Sequence, residues 1–296
     1  MKHLVIGPGA MAYFLFMGTL SALSDKGALN DLETISGASA GGLIAFMYIL
    51  TKGDIQKMFE LSAEIPLKNV MKPNIKSLFK TYGLVSSKKI RTVLTSLTRK
   101  FFDKDDVTFE ELWAYWPIKL YVSACCIDLS TTQYFSVDTH PTMSVHDALT
   151  MTVAVPFLIQ SVKMGDWHYI DGGALEETPC ARVINQDPKS VHVIRMGGEF
   201  TARVNNLKTY GLRLLGTAFS LRHTYRMFQT TVVEVDDLDI FDFSMSIESK
   251  VKMFVAGYMS CTICPRAEID PPHTLAESPP PDPEHPESTC DAESPQ

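Results

Sequence analysis

The chain has 296 residues, 45% of them hydrophobic, so it can bury a substantial core in one large or two ordinary domains. Its formal charge is −7, from 27 basic and 34 acidic side chains. The acidic excess lies in residues 266–296, which hold eight carboxylates and one base, Arg266. The remaining body is neutral and contains no recognisable nucleic-acid-binding module, so nucleic acid is not expected as a partner.

The same C-terminal stretch holds eight of the 17 prolines and few large apolar residues. Such a composition cannot bury enough surface to offset the entropy that is lost on ordering. We therefore predict a disordered acidic tail over 266–296 and a folded domain over 1–265. The motifs that carry chemistry lie within 4–200, and 201–265 is expected to be mainly helical.

Residues 4–24 carry no charge and follow Lys2, a pattern shared by signal peptides and membrane spans. Gly7-Pro8-Gly9 interrupts this stretch after a strand-like run, whereas a spanning helix needs about 20 uninterrupted residues. A buried strand, a glycine turn and a helix over about 12–25 are favoured, with a cleaved or membrane-spanning segment as the alternative. We expect the protein in the cytoplasm or peripherally on intracellular membranes.

A second short strand over 33–35 should lead to Ser39, and the apolar run 43–50 should continue as a helix. Strand, helix, strand and helix in succession build parallel sheets with helices on both faces. Both glycine-rich turns then meet at the carboxyl ends of the strands, where open α/β sheets place their active sites. The predicted fold is a three-layer α/β/α sandwich around a mostly parallel central sheet.

Residues 54–116 are predicted to be mostly helical and are strongly basic, since no carboxylate lies between Glu64 and Asp103. Apolar side chains are interleaved with the bases. This pattern is typical of a solvated helix face, and also of a surface that settles on anionic lipid headgroups. The candidate membrane-binding residues are Lys68, Lys72, Lys76, Lys80, Lys88, Lys89 and Arg91.

Several short elements are predicted in the second half of the chain. Strands are expected over 118–127 and 133–137, followed by a helix that begins at Ser144 and ends before Pro156. The later elements are a hairpin over 161–170 that leads into Asp171, a buried strand at 191–194, a short strand near 231–233 and a last helix over about 247–258.

The six cysteines have no framework spacing, so reduced thiols are expected rather than a disulfide scaffold. Cys261-x-x-Cys264 has no second Cys/His pair nearby to complete a zinc site. Neither a metal nor any other cofactor is implied by the sequence.

A serine framed by glycines lies between the second strand and its helix, in the stretch Gly37-Ala38-Ser39-Ala40-Gly41. A nucleophile elbow has this G-x-S-x-G pattern in this context, because the sharp turn strains the serine and leaves little room for its neighbours. The serine then sits at a helix N-terminus, where N–H groups favour developing negative charge. Close packing of a helix on a sheet is the alternative explanation of so many small residues.

An activated serine needs a base, and an aspartate whose neighbours leave it room to approach can serve. Asp171-Gly172-Gly173 follows an apolar segment and meets that requirement. If Asp171 lies within hydrogen-bond reach of Ser39, it can accept the hydroxyl proton. Taken alone, the tripeptide is typical of a β-turn.

Together these motifs resemble the patatin-like phospholipases, lipid acyl hydrolases that use a Ser-Asp dyad without histidine. The family has a glycine-rich loop after the first strand, then G-x-S-x-G, and later D-G-G or D-G-A. Weaker landmarks also occur in order, so the resemblance covers about residues 4–260. They are the segments 83–85, 152–157, 241–244 and 257–258.

The resemblance implies an esterase of the phospholipase A or lysophospholipase type, acting on phospholipid or another acyl lipid. It implies Ser39 as the nucleophile of an acyl-enzyme and Asp171 as the general base. The backbone of the loop would form the oxyanion hole. That loop consists of Gly7, Pro8, Gly9 and Ala10.

Two residues depart from the family loop, which usually reads G-G-G-x-(Arg/Lys)-G. Pro8 stands at the second glycine and has no N–H, and Met11 stands where the cation belongs. The N–H groups of Gly9, Ala10 and Ala40 remain, and loss of one oxyanion donor typically costs about 10²–10³ in rate. A weakened or inactive lipid-binding or scaffold protein is therefore one alternative.

A Ser-His-Asp α/β-hydrolase is the other alternative. Its triad would combine Ser39 and Asp171 with His192 or His223. The elbow of that fold normally follows several strands, whereas about one strand and helix precede Ser39 here.

Overall fold

A computed structural model describes residues 1–197, 204, 210–211, 213–214, 227–234 and 239–263. Ten strands and nine helices are assigned within this part of the chain. The strands are β1 (His3–Ile6), β2 (Thr34–Gly37), β3 (Gly83–Val85), β4 (Lys119–Cys126), β5 (Thr131–Phe135), β6 (Phe157–Ile159), β7 (Val162–Met164), β8 (Trp167–Ile170), β9 (Val191–Gly197) and β10 (Gln229–Glu234). The helices are α1 (Tyr13–Asp25), α2 (Ala40–Leu50), α3 (Ile55–Ala63), α4 (Leu67–Val70), α5 (Ile75–Thr81), α6 (Ser87–Thr98), α7 (Phe109–Tyr115), α8 (Val145–Thr152) and α9 (Ile247–Ile263).

The central sheet has the strand order β10-β9-β1-β2-β4-β8-β7, and β5 also pairs with β4. The neighbours from β10 to β4 are parallel, whereas β5, β7 and β8 join through antiparallel pairs. The predicted α/β fold around a mostly parallel sheet is thus confirmed. Because Ile6 of β1 is level with Gly37 of β2, the turns that follow the two strands lie at the same edge.

The main hydrophobic core lies on one face of the sheet, where Leu4 and Ile6 point towards helices α1, α2 and α8. Val5 points to the other face and packs with Val191, Val193 and a smaller cluster. This alternation follows from the two-residue period of a strand. Parallel strands are buried on both faces, which is why residues 3–6 are mostly apolar and do not alternate with polar residues.

Helix α9 packs along α1 at very short range. A Cβ placed on Gly18 would lie 1.9 Å from the Phe254 carbonyl oxygen, and one on Gly257 would lie 1.9 Å from that of Leu15. The Thr19 hydroxyl also donates a hydrogen bond to the Gly257 carbonyl at 3.1 Å. The C-terminal helix is therefore part of the same core as the first helix.

The uncharged N-terminal stretch forms the buried strand β1 and helix α1, as predicted. The glycine turn between them contains a 3-10 turn at Ala10–Ala12. None of the helices in the described ranges has both the length and the apolar character that crossing a membrane requires.

Most of the predicted elements are confirmed, including the 161–170 hairpin and the strand near 231–233. The last helix runs five residues further than predicted, to Ile263, and the small parallel sheet of β3 and β6 was not predicted. Between 205 and 246, where helices were expected, the described residues 210–211 and 213–214 are helical, whereas 239–246 form turns and coil without a helix. The acidic tail, Cys264 and His223 lie outside the described residues.

Candidate active site

Ser39 occupies a strained turn between β2 and α2. Its backbone angles are φ 53° and ψ −123°, a conformation that residues other than glycine rarely adopt. It is the N-cap of the eleven-residue helix α2, so its side chain stands where the helix amides begin. The Ser39 residue is 6% exposed.

The glycines around Ser39 are required by close backbone packing. A Cβ on Gly37 would lie 2.5 Å from the Gly41 carbonyl oxygen, and one on Gly41 would lie 2.2 Å from that of Ile6. The Ala38 N–H also donates to the Ile6 carbonyl at 3.1 Å. The turn is therefore pressed against the end of β1, next to the glycine-rich loop.

Asp171 follows strand β8 and is 3% exposed. Its Oδ1 accepts a hydrogen bond from the Gly173 N–H at 2.8 Å. Gly172 packs against β4, because a Cβ there would lie 2.2 Å from the Ser123 carbonyl oxygen. The side chain of Asp171 is thus oriented by the turn that its own two glycines make.

One short segment at the end of α8 holds both Ser39 and Asp171. The Ser39 N–H donates to the Thr152 hydroxyl at 2.8 Å, and the Asp171 N–H donates to the Ala154 carbonyl at 3.0 Å. Thr152 and Ala154 are two residues apart, so the two candidate catalytic residues are fixed to neighbouring points. The sequence did not reveal the role of Thr152, although the segment 152–157 was noted as a family landmark.

The loop after β1 is fixed at both ends by backbone hydrogen bonds. Gly7 donates to the Ile194 carbonyl at 2.9 Å and Met11 donates to the Ile240 carbonyl at 3.0 Å. Within the described ranges no carbonyl or side chain accepts from the N–H of Gly9, Ala10 or Ala40. Ala10 has a positive φ of 44° and lines a cavity together with Ala40 and Ser39.

Pro8 is in contact with the aspartate motif. A Cβ on Gly173 would lie 2.7 Å from Pro8 Cγ and 2.9 Å from Pro8 Cβ. The proline ring therefore occupies the space next to Gly173, and the loop and the Asp171 turn touch at this point.

An apolar cavity of about 150 Å³ opens beside Ser39. Its wall comes from helices α1, α2, α3, α4 and α6 and from the segments 153–159 and 241–243, and includes Phe46, Leu94 and Phe243. A wall of this composition suits an acyl chain and disfavours a charged group. Asp171 does not line the cavity.

Three hydroxyl groups belong to the described wall of this cavity, those of Tyr13, Ser39 and Ser62. The Tyr13 and Ser62 hydroxyls lie 2.8 Å apart and hydrogen-bond each other, and burial raises the pKa of Tyr13 to about 12. Tyr13 is therefore neutral at physiological pH.

His192 lies away from Ser39. His192 is level with Leu4 and Ile35 in the sheet. Ile35 lies two residues before the end of β2, roughly 7 Å along the strand from the edge where the Ser39 turn begins. Its Nε2 hydrogen-bonds Thr231 at 2.9 Å, and burial lowers its pKa to about 4. This position is that of a structural histidine between two strands.

The predicted basic residues divide into two groups. Arg91 forms ion pairs with Asp106, at 2.7 Å, and with Asp147, so two carboxylates balance its charge where α6 packs near α8. Lys89 donates to the Lys72 carbonyl at 3.1 Å. The remaining lysines expose their side chains, and they are Lys68, Lys72, Lys76, Lys80 and Lys88.

The motifs lie within a segment of the chain that matches a known family. Residues 4–184 match the model of the patatin-like phospholipases. The chain belongs to this family. In the described ranges, no three side chains of His, Cys, Asp or Glu are grouped so as to hold a metal ion.

Two viral proteins are similar in sequence. Uncharacterized protein R571 of Acanthamoeba polyphaga mimivirus is 22% identical over 277 residues, which cover 88% of this chain and 92% of that protein. A protein of Invertebrate iridescent virus 6, named "Probable lipid hydrolase 463L", is 26% identical over 183 residues, or 60% and 61% of the two chains.

A solved structure, that of VipD from Legionella pneumophila, has a similar fold. The TM-score is 0.64 at 15% identity, and the match covers 88% of this chain. It spans 66% of the VipD chain. The similarity to VipD therefore supports the fold described above for this chain.

Proposed function

We propose that this protein is a lipid acyl hydrolase in which Ser39 is the nucleophile and Asp171 the general base. The observation that carries the proposal is the shared anchor at the end of α8, where Thr152 and Ala154 hold the amides of both residues. The strained turn at Ser39, the adjoining apolar cavity and the family support it. The "lipid hydrolase" in the name of the iridescent virus relative agrees with it.

In the proposed reaction, Ser39 Oγ attacks the acyl carbonyl carbon while Asp171 accepts the hydroxyl proton. The tetrahedral intermediate collapses, the bond to the leaving alcohol breaks, and the alcohol takes that proton. Water then attacks the acyl-enzyme, again giving up a proton to Asp171, and the fatty acid leaves as Ser39 recovers its proton. Phospholipid or another acyl lipid is the substrate, and the chemistry requires no metal.

The N–H groups of Gly9, Ala10 and Ala40 are the proposed oxyanion donors. They have no acceptor in the described ranges, and Ala10 and Ala40 line the cavity next to Ser39. The amides of Ser39 and Gly7 already donate elsewhere. Preorganised donors are often the largest single contribution to such catalysis, so the lack of a Pro8 N–H lowers the rate without abolishing it.

The exposed lysines between 68 and 88 support the proposal that the protein binds peripherally to an anionic membrane and meets its substrate there. No carboxylate lies between Glu64 and Asp103 to offset them. Each lysine near an anionic surface contributes about 1 kcal/mol of attraction.

Labelling with a fluorophosphonate, followed by lipid-release assays, tests the proposal. We expect wild type to be labelled at Ser39 and to release fatty acid, and the Ser39→Ala and Asp171→Ala variants to fall to background. Ser96→Ala and Asp166→Ala change the same residue types at sites outside the cavity wall and should keep wild-type activity.

A folded wild-type protein that resists labelling would favour a lipid-binding protein without turnover. Near-normal activity of Asp171→Ala would remove the dyad. If His192→Ala abolished turnover as fully as Ser39→Ala, a triad would replace it.

A further inference from the structure

The four most exposed large apolar side chains of the described chain lie together around helix α5. Phe79 is 82% exposed, Ile75 71%, Tyr82 66% and Phe157 59%. Ile75 and Phe79 are four residues apart and share one face of α5. Tyr82 caps that helix, and Phe157 pairs with Gly83 in the small β3–β6 sheet, next to Tyr82. We call these four residues the apolar tip.

Two residues of the apolar tip have unfavourable backbone conformations. Tyr82 has a φ of 61° and Phe157 a φ of 64°. For bulky side chains such angles are rare, and they cost on the order of 1–3 kcal/mol each. The chain carries this strain at two aromatic residues that remain largely in solvent, which points to a role outside the core.

The surroundings of the apolar tip are positively charged. Lys76 and Lys80 are exposed on α5 itself, and Lys68 and Lys72 are exposed just before it. Residues 65–102 contain no carboxylate, so the segment that bears α5 carries charges of one sign only. An apolar centre with a cationic border complements a bilayer with anionic headgroups.

The segments that bear the apolar tip also form part of the cavity wall. Val70 and Met71 line the cavity and come directly before α5, and Leu158 and Ile159 line it and come directly after Phe157. Helix α6, which follows β3, also contributes to the wall. The segments that carry the apolar tip are thus continuous along the chain with residues that line the cavity beside Ser39.

We propose that the apolar tip inserts into the acyl layer of an anionic membrane while Lys68, Lys72, Lys76 and Lys80 contact the headgroups. Docking in this orientation holds the cavity wall against the bilayer, so that the acyl chain of a lipid passes from one apolar environment into another. The substrate part of this inference rests on the proposed function. The membrane docking does not, because it depends only on the exposed surface.

Flotation with lipid vesicles tests the docking, using proteins that also carry Ser39→Ala so that no lipid is cut. The protein whose only substitution is Ser39→Ala should bind phosphatidylcholine vesicles that contain phosphatidylserine. It should bind vesicles of pure phosphatidylcholine far more weakly. Lys76→Gln with Lys80→Gln should reduce the affinity roughly 25-fold, at about 5-fold for each lysine. Lys163→Gln with Lys189→Gln removes the same charge elsewhere and should change it little.

Insertion is tested in the same assay by Phe79→Ser, which should weaken binding by on the order of 10-fold or more. Trp113→Ser removes another exposed aromatic residue, 43% exposed on α7, and is the matched control. The Phe79→Trp variant should gain blue-shifted emission with anionic vesicles. The inference would be overturned if Phe79→Ser and Trp113→Ser bound the vesicles equally well, or if the emission of the Phe79→Trp variant did not shift. It would also be overturned if the two double lysine variants lost the same amount of affinity.

With Ser39 intact, the Phe79→Ser protein should hydrolyse a soluble short-chain ester at the wild-type rate and vesicle lipid more slowly. Loss of both activities in equal measure would count against docking as the cause. If wild type cuts neither substrate, the proposed function fails, while the flotation result still decides the docking.

Discussion

At the scale of single residues, the position of Ser39, the proposed nucleophile, depends on Thr152. The Thr152 side chain is fully buried, and its hydroxyl accepts the N–H of Ser39, whose strained backbone needs an external support. A buried N–H that loses its acceptor costs about 1–3 kcal/mol. Thr152 is therefore a positioning residue for Ser39.

We predict that Thr152→Val, which keeps the shape and removes the hydroxyl, slows labelling of Ser39 by a fluorophosphonate about 10- to 100-fold. Thr152→Ser restores the acceptor and should stay within a few-fold of wild type. Thermal unfolding of both proteins separates this effect from loss of fold. Equal labelling rates in Thr152→Val and wild type would show that the hydrogen bond does not position Ser39.

Pro8 and Gly173 should be coupled. The family pattern has either glycine or alanine at the position of Gly173, but here an added Cβ would meet the Pro8 ring at 2.7 Å. Gly173→Ala should therefore destabilise the protein by about 1–3 kcal/mol and slow labelling of Ser39. Adding Pro8→Gly should recover much of that loss, measured as a double-mutant cycle in urea unfolding. Additive effects of the two substitutions would contradict the contact.

The sequence predicted Ser39 and Asp171 because their motifs have a fixed local spacing. It did not predict Thr152, because the bond to Ser39 joins residues 113 apart in the chain. It identified Pro8 as the departure from the family loop but not its contact with Gly173. Such contacts depend on the packing of loops from different strands, which leaves no periodic signal.

At the scale of elements, the crossing of α1 and α9 is set by two glycines. Gly18 and Gly257 let the two backbones approach, and the Thr19 hydroxyl then bonds the Gly257 carbonyl. An alanine in a helix normally stabilises it by about 1 kcal/mol relative to glycine. Here the added methyl group would meet backbone, which cannot move aside as a side chain can.

We predict that Gly257→Ala lowers the free energy of unfolding by about 1–3 kcal/mol, despite the gain in helix propensity. Urea unfolding followed by circular dichroism measures it. Val255→Ala on the exposed side of α9 is the control and should stay within about 0.5 kcal/mol of wild type. A stabilised Gly257→Ala protein would show that the helices can separate at no cost.

Most of the described elements could be predicted from hydrophobic periodicity and from glycine and proline positions. β3 and β6 were missed because three-residue strands are too short to show a period. The order of the sheet could not be derived either, since β9 returns to pair with β1 from almost 190 residues away. Pairing at that distance is decided by burial of both faces rather than by any local pattern.

At the scale of the whole molecule, buried histidines make stability depend on pH. Burial lowers the pKa of His3, His146 and His192, for the last to about 4. The unfolded chain, with a histidine pKa near 6.5, then binds more protons than the native state below that pH. Stability is therefore full above about pH 6.5 and falls as the pH drops towards 4.

We predict that His192 alone accounts for about 2 kcal/mol of lost stability between pH 7 and pH 5. The His192→Gln protein should lose correspondingly less over that range, although it starts from a lower stability. Urea unfolding of both proteins at the two pH values measures the difference. If both proteins lost the same amount of stability between the two pH values, His192 would have the same pKa in the folded and unfolded states.

The apolar cavity beside Ser39 favours the substrate over the product of the proposed reaction. An ester is neutral, whereas the fatty acid released from it is ionised at neutral pH, and a carboxylate is costly to hold in an apolar cavity. The acyl chain that entered as an ester is thus expelled as an anion. Accumulated fatty acid should therefore inhibit turnover weakly at neutral pH and more strongly as acidification returns the acid to its neutral form.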